Sequence, residues 1–395
     1  MLEQIEGSQA IARVVEACRP QVVCAYPITP QTHIVEALGA RAKSGAMPGC
    51  RFMNVESEFA AMSVAIGASA AGARAYTATA SQGLLFMTEA VYNAAGLGLP
   101  IVMTVANRAV GAPINIWNDH SDSMALRDAG WVQLFAADNQ EAVDLHPQAF
   151  RLAEELSVPV MVCVDGFVLT HAVERIDVPD QAQVDAFLPP FVPRQSLDPD
   201  SPLTIGAMVG PEAFTEVRYL AHMTMKEVAD VVPDVAEEYG RAVGRYRSPF
   251  FTEYLTDGAE TIVVSSGSVG GTLCDVVDEL RADGWPIGAL SLTMFRPFPL
   301  DPLRARLAGA RRVVTVDRAV AAGGSGYLHA DVRPAAPPGG RLTDVVAGLG
   351  GRPVSHRSLR DHLVAALRDE VAELTFMDLR IGPGVPAGTD GLQRR

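Results

Sequence analysis

The chain has 395 residues, which is long enough for two or three domains that each bury a core. Its formal net charge of −14, from 32 basic and 46 acidic residues, argues against a nucleic-acid-binding surface. The composition, 48% hydrophobic and 20% charged, is that of a globular protein, and the charge-free stretch from Phe59 to Ala73 is too short to cross a bilayer. We therefore expect neither a nucleic acid nor a membrane as a partner.

The cysteines indicate a reducing compartment. Five of them are scattered at positions 18, 24, 50, 163 and 274 without a C-x-x-C pair, which argues against a cysteine-bound zinc or iron–sulfur site on this chain. The first ten residues include Glu3 and Glu6 and have no long apolar core, unlike a secretory signal. We expect a cytoplasmic protein with no metal site of its own.

Residues 1–170 alternate apolar runs with Ala-rich helical stretches, a pattern typical of βαβ units around a mostly parallel sheet. The predicted strands are Val22 to Ala25, Phe52 to Val55, Ala75 to Thr79, Pro100 to Ala106 and Val158 to Val164. The predicted helices are Gly7 to Cys18, Gln31 to Ala42, Phe59 to Gly72, Gly83 to Ala95 and Gln140 to Glu155. Pro147 is expected to kink or split the last of these helices. The pattern predicts a doubly wound α/β domain.

The rest of the chain divides into a connection and a second, smaller α/β domain. Residues 171–257 begin Pro-rich and aperiodic and then return to helical spacing, which predicts an extended connection followed by one or two surface helices. In residues 258–380 the predicted strands are Thr261 to Ser265, Ile287 to Leu292 and Arg312 to Val316, and the predicted helices are Gly271 to Asp283 and Arg357 to Leu374. The Gly-rich residues 381–395 are expected to fray.

Thr29 stands at a turn that follows the first predicted strand. Pro27 and Pro30 fix their own φ angles and keep Tyr26 and Thr29 out of the helical region, so a strand-to-helix elbow is expected, with Pro30 suited to the first helical position. Open α/β sheets bind ligands at the carboxyl ends of their strands. Thr29 is therefore either a ligand-binding residue or only the N-cap of the next helix.

Three further segments follow predicted strands at the same edge of the sheet. Glu56 and Glu58 open a helix, where a carboxylate either complements the helix dipole or acts as an acid/base. The small polar turn with Thr79, Ser81 and Gln82 either holds a polar ligand or provides a cap in Ser81 for the helix from Gly83. The convergence of these segments favours a binding site.

Arg108 follows the apolar strand Pro100 to Ala106. An arginine near a core is costly unless it meets an anion, and its planar fork fits a carboxylate, either of a substrate or of an internal Asp or Glu. The polar loop Trp117 to Met124 includes Asp119, His120 and Asp122, and we interpret it as a wall of the site or a partner contact, with metal binding as a lesser alternative. Ser265 to Gly271 opens a helix and is either a phosphate cradle or a tight turn.

Several of these segments together resemble the α subunits of 2-oxoacid:ferredoxin oxidoreductases, and the best match is the pyruvate branch, also called pyruvate synthase. The matching segments, which together cover most of the chain, are Tyr26-Pro-Ile-Thr-Pro-Gln-Thr32, Val55-Glu-Ser-Glu58, Gly67-Ala-Ser-Ala-Ala-Gly-Ala-Arg74, Thr79-Ala-Ser-Gln-Gly83, Pro113-Ile-Asn-Ile-Trp-Asn-Asp-His120, Val162-Cys-Val-Asp-Gly-Phe167 and Phe295-Arg-Pro-Phe-Pro299. The Asp317 to Gly324 segment and the region after Gly240 depart from the pattern, and we expect both to lie outside the site.

The resemblance implies an enzyme that converts a 2-oxoacid, coenzyme A and oxidised ferredoxin to acyl-CoA, CO2 and reduced ferredoxin, or runs the reverse reaction. It also implies a pyrimidine-type thiamine diphosphate domain followed by a transketolase C-terminal-like domain. The cofactor would be shared with a β subunit. Mg2+ and [4Fe-4S] clusters would lie on partner subunits, which include β, γ and ferredoxin-like δ chains.

The resemblance also implies residue roles. Glu58 matches the glutamate that hydrogen-bonds N1′ of the cofactor's aminopyrimidine, and Thr79, Ser81 and Gln82 belong to the matching cofactor-binding turn. Thr29 and Arg108 match residues that hold the substrate. Because oxalate-using relatives carry an arginine at the position of Thr29, an ordinary 2-oxoacid is expected. A branched-chain 2-oxoacid enzyme, half of a non-redox thiamine enzyme and a non-catalytic scaffold stay open as alternatives.

Overall fold

A computed structural model describes residues 2–380 of the chain. The strands are β1 (Leu2–Glu6), β2 (Val22–Ala25), β3 (Arg51–Asn54), β4 (Ala75–Thr79), β5 (Ile101–Asn107), β6 (Val132–Phe135), β7 (Val160–Asp165), β8 (Val173–Asp177), β9 (Phe251–Tyr254), β10 (Thr261–Ser266), β11 (Ile287–Leu292), β12 (Met294–Arg296), β13 (Arg312–Asp317), β14 (Arg341–Val346) and β15 (Leu374–Phe376). The predicted frayed tail, residues 381–395, lies outside the described residues.

The α-helices lie between these strands. They are α1 (Gly7–Ala17), α2 (Thr32–Lys43), α3 (Glu58–Ala70), α4 (Ser81–Phe86), α5 (Thr88–Gly96), α6 (Ser121–Ala125), α7 (Asn139–Leu156), α8 (Gln181–Phe187), α9 (Pro211–Val243), α10 (Val269–Ala282), α11 (Leu300–Leu307), α12 (Tyr327–Val332) and α13 (His356–Leu367). Within residues 2–380, no helix is both long enough and apolar enough to cross a membrane.

The first sheet has seven strands in the order β12-β6-β7-β5-β4-β2-β3, and all of its pairs except β12–β6 are parallel. Helices α1, α2 and α7 pack on one face, whereas α3 and α5 pack on the other. The doubly wound fold predicted from the alternating pattern is thus confirmed. Because the parallel strands share one direction, the segments that follow β2, β3, β4 and β5 emerge at the same edge.

The second sheet has six strands in the order β15-β14-β13-β10-β11-β9, all parallel except β9. The predicted helix from Arg357 to Leu374 is wrong at its end: α13 stops at Leu367, Asp369 adopts a left-handed φ of 61°, and Leu374 begins β15. A non-glycine residue with positive φ ends a helix because the next residues cannot continue its hydrogen bonding.

The two sheets are tied together by β12. This short strand follows β11 of the second sheet but pairs antiparallel with β6 of the first, placing Met294 opposite Leu134 and Arg296 opposite Gln133. Neither β12 nor β6 was predicted, since strands of three and four residues carry too little period to be recognised. The domain limits at 170 and 258 stay a prediction.

Two prolines lie inside long helices. Of the kink or split predicted at Pro147, the split does not occur, because α7 runs as one helix from Asn139 to Leu156. Burial of α7 on the first sheet and the bond from the Gln148 side-chain amide to the Asp144 carbonyl (2.8 Å) compensate for backbone bonding that the proline disturbs. The surface helix predicted from Glu212 onwards is the single helix α9, whose buried residues begin at Val228.

Candidate active site at the carboxyl edge of the first sheet

The elbow after β2 is held by Gln31 rather than by Thr29. Gln31 is fully buried, and its side-chain amide donates to the carbonyl of Ala78 in β4 at 2.5 Å, while its side-chain oxygen accepts from the backbone of Ile28 at 3.2 Å. Helix α2 begins at Thr32 with Gln31 as its N-cap, so the N-cap interpretation of Thr29 and the placement of Pro30 at the first helical position are wrong. Thr29 is exposed at the edge of the sheet, which leaves its hydroxyl open to a ligand.

The two glutamates before α3 lie in different environments. Glu56 is exposed, whereas Glu58 is only 7% exposed. The cap of α3 is Ser57, whose hydroxyl accepts from the backbone N–H of Ala60 at 3.2 Å. Glu58 therefore has no capping task, and its carboxylate makes no hydrogen bond or ion pair with any residue of the described 2–380 range. A buried carboxylate without a donor is costly, so this group is arranged to meet one from outside the chain.

Gly83 and Thr79 complete the surroundings of Glu58. A Cβ placed on Gly83 would lie 2.6 Å from Oε1 of Glu58 and 2.7 Å from the hydroxyl oxygen of Thr79, so only glycine allows both side chains to approach this turn. The buried Thr79 hydroxyl also has no hydrogen-bond partner within the described part of the chain. A carboxylate and a hydroxyl that are both unsatisfied fit a heterocycle that carries ring N–H and amino groups. Gly83 is not among the site residues predicted from the sequence.

Ser81 is held by hydrogen bonds within the chain. Its hydroxyl donates to the carbonyl of Ala109 at 2.5 Å and also contacts the side chain of Gln82, and its backbone N–H donates to Asp122 at 2.9 Å. The prediction that Ser81 caps a helix from Gly83 is wrong, because α4 begins at Ser81 itself and Ala80 is its N-cap. The assignment of Ser81 to cofactor binding stays a prediction, which these internal bonds do not favour.

Gln82 and Arg108 lie beside the loop that follows β5. The side-chain amide of Gln82 lies so close to Gly111 that a Cβ there would be 2.7 Å from its nitrogen. Arg108 is 6% exposed and donates from Nη1 to the Thr29 carbonyl at 2.8 Å and from Nε to the Asn115 carbonyl at 3.1 Å. The structure therefore brings Arg108 and Thr29 together, as the sequence predicted.

The internal ion pair considered for Arg108 does not form within residues 2–380, where its side chain donates only to backbone carbonyls. Burial lowers the pKa of its guanidinium, although Asp122 opposes the shift. A buried cation that is not neutralised by a carboxylate has its remaining donors free for an anionic substrate.

Asp122 is the central acceptor of this edge. It is fully buried and accepts from the backbone N–H groups of Ser81 (2.9 Å), Arg108 (2.9 Å) and Ser123 (2.8 Å) and from the side-chain amide of Asn107 (2.8 Å). Burial raises the pKa of Asp122 to about 6, and these hydrogen bonds oppose the rise. Asp122 thus fixes the starts of two site segments relative to each other, a role that could not be predicted from its polarity alone.

The second domain fastens the loop that carries Asn115 and Asp119. Gly350 donates its backbone N–H to Asp119 at 3.0 Å and accepts from the Asn115 side-chain amide at 3.0 Å. Since the Asn115 carbonyl accepts from Arg108, the second domain reaches Arg108 through one intermediate residue. The metal interpretation of this loop has no support, because Asp119 and Asp122 bind different backbone groups.

A buried charged cluster joins the two domains below this loop. His120 lies 2.7 Å from Asp165, whose other oxygen accepts from Arg318 at 2.7 Å and from the backbone of Ser268 at 2.8 Å. Burial acts to raise the pKa of Asp165, but Arg318 and His120 outweigh it and hold that pKa far below its usual range. The glycine-rich turn with Ser268 therefore binds a carboxylate of its own chain. Arg318, expected outside the site, instead supports the loop beside it.

Comparison with known proteins identifies the family of the chain. The family model described as "Pyruvate flavodoxin/ferredoxin oxidoreductase, thiamine diP-bdg" matches residues 13–237, and the model "Pyruvate:ferredoxin oxidoreductase core domain II" matches residues 259–359. The pyruvate synthase subunit PorA of Methanosarcina barkeri is 49% identical over 81% of this chain and 80% of its own length. The corresponding subunit of Thermotoga maritima is 43% identical over 95% of this chain and 97% of its own.

A relative with another name and one solved structure widen the comparison. The ketoisovalerate oxidoreductase subunit VorA of Pyrococcus abyssi is 38% identical over 88% of this chain and 89% of its own length. The solved 2-oxoglutarate:ferredoxin oxidoreductase from Magnetococcus marinus has the same fold, with a TM-score of 0.69 at 18% sequence identity. The match covers 93% of this chain and 65% of the Magnetococcus marinus chain, which is longer. The chain belongs to the pyruvate:ferredoxin oxidoreductase family, and its residues 13–237 match the family's thiamine diphosphate-binding domain.

Proposed function

We propose that this chain is the α subunit of an enzyme that converts pyruvate, coenzyme A and two oxidised ferredoxins to acetyl-CoA, CO2 and two reduced ferredoxins, reversibly. The observation that carries the proposal is the buried and unpartnered carboxylate of Glu58, next to the unpartnered hydroxyl of Thr79 and the bare backbone of Gly83. Family membership supports the reaction class, and the relatives named pyruvate synthase support the substrate.

The residues present fit thiamine diphosphate. When bound, the cofactor supplies the carbanion chemistry that decarboxylation of a 2-oxoacid needs. Glu58 would hold a proton at N1′ of the aminopyrimidine, with Gly83 leaving room for the ring and Thr79 and Gln82 lining its edge. The burial of Glu58 and Thr79 limits access of water to the Glu58 carboxylate, which strengthens the bond that this carboxylate would make.

Thr29 and Arg108 would bind the substrate. Arg108 keeps donors free after its two bonds to backbone carbonyls, so it is able to hold the carboxylate of a 2-oxoacid. The exposed Thr29 hydroxyl lies on the residue whose carbonyl Arg108 binds, which directs both groups to the same small anion. Together they would orient the acid for attack at its keto carbon.

The site is incomplete on this chain, and we propose that a β subunit completes it. Phe59 follows Glu58 directly and is 39% exposed, and its ring lies 6.5 Å from that of Phe86, which is 61% exposed. Exposed aromatic side chains beside a buried carboxylate suit a surface that a partner covers. We also assign Mg2+, the diphosphate contacts and the [4Fe-4S] clusters to the β, γ and δ subunits. We expect the assembly to lie in the cytoplasm.

The test is to co-express the chain with its neighbouring subunits without oxygen and to follow pyruvate- and CoA-dependent reduction of a viologen dye. Glu58→Gln should lower turnover roughly 10²–10⁴-fold, because the neutral amide cannot hold the N1′ proton in the same way. Glu56→Gln is the matched control and should leave turnover unchanged, since Glu56 is exposed. Normal turnover of the assembled Glu58→Gln complex would contradict the proposal.

A branched-chain substrate is the second candidate, favoured by the VorA relative. Comparing kcat/KM for pyruvate and for 2-oxoisovalerate on the same complex distinguishes the two. A higher value for pyruvate is expected. A higher value for 2-oxoisovalerate would move the chain to the branched-chain enzymes and would leave the role of Glu58 intact.

A further inference from the structure

Three side chains with metal-binding atoms meet behind the elbow of the candidate site. Glu6 ends β1, His33 lies in the first turn of α2, and His171 lies just before β8. One ligand atom from each lies within 4.8 Å of the other two. We propose that Glu6, His33 and His171 form a binding site for a divalent transition-metal ion of the zinc class. The proposal does not depend on the reaction proposed above.

The distances leave room for an ion after small side-chain shifts. Oε1 of Glu6 lies 2.7 Å from Nδ1 of His33, and the rings of His33 and His171 have centroids 4.5 Å apart. Around a tetrahedral zinc ion with bonds of about 2.0–2.1 Å, neighbouring ligand atoms are about 3.3 Å apart. Opening the Glu6–His33 pair by about half an ångström and closing His171 on it would satisfy that geometry.

His171 already has the outer hydrogen bond that is typical of a metal-binding histidine. Its Nδ1 lies 2.7 Å from the hydroxyl of Thr170, which in turn accepts from the backbone of Phe167 at 2.8 Å. When Nδ1–H donates to this hydroxyl, the lone pair of Nε2 stays free for an ion and the ring is held in place.

Two of the three ligands are fixed by the backbone. Glu6 pairs with Val173 in the β1–β8 ladder, and the next two residues donate backbone N–H groups to Ala172 (3.0 Å) and Thr170 (2.9 Å). Because this ladder sets the distance between Glu6 and His171 before any ion binds, the entropic cost of binding is low. His33 is 45% exposed, so an ion has a path from solvent and a free position for water.

The ligand types select the class of ion. Two imidazole nitrogens and one carboxylate suit Zn2+, Ni2+ or Co2+, whereas Mg2+ and Ca2+ prefer sites made of oxygen atoms alone. A bound ion would join the start of α2 to the turn that contains Gly166. That turn packs directly on Pro30, so the ion would brace both sides of the elbow that carries Thr29.

Equilibrium dialysis of the full chain, in the assembly in which it purifies, against micromolar ZnCl2 tests the proposal when zinc per chain is read by mass spectrometry. The wild type should hold one zinc more than His171→Gln or His33→Gln, and each variant should bind at least tenfold more weakly. His356→Gln is the matched control, because His356 begins α13 of the second domain and its charged contact is Glu279, at 3.5 Å. It should bind like the wild type.

A thermal melt provides the second readout. Zinc should raise the Tm of the wild type and of the His356→Gln control but not that of the two variants, and MgCl2 should raise none of them. Equal zinc content in wild type and His33→Gln would overturn the proposal, and so would an equal Tm shift. The exposed position of His33 makes this variant the safer one for folding if His171→Gln misfolds.

Discussion

The two sides of the candidate site differ in how their buried polar groups are satisfied. Around Asp122, one buried carboxylate accepts three backbone N–H groups and a side-chain amide. Around Glu58, a buried carboxylate and the neighbouring Thr79 hydroxyl have no partner within residues 2–380. The first arrangement is a finished scaffold, whereas the second becomes complete only when a ligand donates to it. We therefore propose that Asp122 builds the site and that Glu58 and Thr79 act in it.

The largest expected effect comes from filling the space beside Glu58. Gly83→Ala would place a methyl group against Oε1 of Glu58 and the hydroxyl of Thr79, so the cofactor ring is excluded or displaced and turnover should fall about 100-fold or more. Viologen reduction and thiamine diphosphate binding measure this. Gly67→Ala in α3 is the matched control, because a Cβ there meets nothing within 4 Å, and it should keep full activity. Equal activity of the two variants would contradict the role of Gly83.

Removing the scaffold carboxylate should mainly cost stability. Asp122→Ala leaves several buried donors without an acceptor, which should lower the free energy of unfolding by about 3 kcal/mol. Asp138→Ala, which removes a half-exposed N-cap of α7, should cost only about 1 kcal/mol. Urea denaturation of both variants measures the difference. If Asp122→Ala lowers the free energy of unfolding no more than Asp138→Ala does, Asp122 does not stabilise the site more than an ordinary N-cap stabilises its helix.

The raised pKa of Asp122 predicts a pH dependence of stability. Its folded pKa of about 6 lies above the ordinary 3.8, so between these values the folded state binds the extra proton. The stabilising contribution is therefore complete below about pH 4 and is lost as the pH rises to about 6, by up to about 3 kcal/mol. The stability advantage of the wild type over Asp122→Asn should shrink over this range in urea titrations at pH 4.5, 5.5 and 7. Parallel curves would contradict the shift.

The smallest expected effect tests the support from the second domain. Asn115→Ala removes the bond to Gly350 and loosens the carbonyl that holds Arg108, so KM for the 2-oxoacid should rise about fivefold with little change in kcat. Asn93→Ala, at an exposed position of α5, is the control and should leave KM unchanged. An unchanged KM in Asn115→Ala would mean that Arg108 is positioned by the first domain alone.

Much of the first domain could be predicted from the sequence, because its central strands are buried on both faces and read as apolar runs. The same pattern placed Thr29, Glu58, Thr79 and Arg108 at one edge, which the structure bears out in their positions. Their chemical roles stay predictions. The period of a short segment such as β12 is too brief to recognise, and its pairing with β6 depends on residues about 160 positions away.

The hydrogen-bond partners could not be predicted, because polarity in a sequence does not say which groups meet. Ser81 and Asp122 are both polar residues of predicted turns or loops, yet the Ser81 hydroxyl donates to the Ala109 carbonyl whereas Asp122 accepts from four donors. The sequence pattern predicts Gln31 only as the first residue of a helix, although its side-chain bond to the Ala78 carbonyl anchors the elbow. Gly83 could not be predicted as a site residue, because its contribution is the space left by its missing side chain.

The pairing of β12 with β6 has a consequence for how this protein can be divided. A protease nick or a gene split near residue 248 would leave β6 as an unprotected edge in the N-terminal piece and β12 without a sheet in the other. We expect each piece to fold poorly or aggregate when it is produced alone, and both pieces to fold when they are co-expressed. The chain should therefore be expressed as one folding unit rather than as two independent domains joined by a linker.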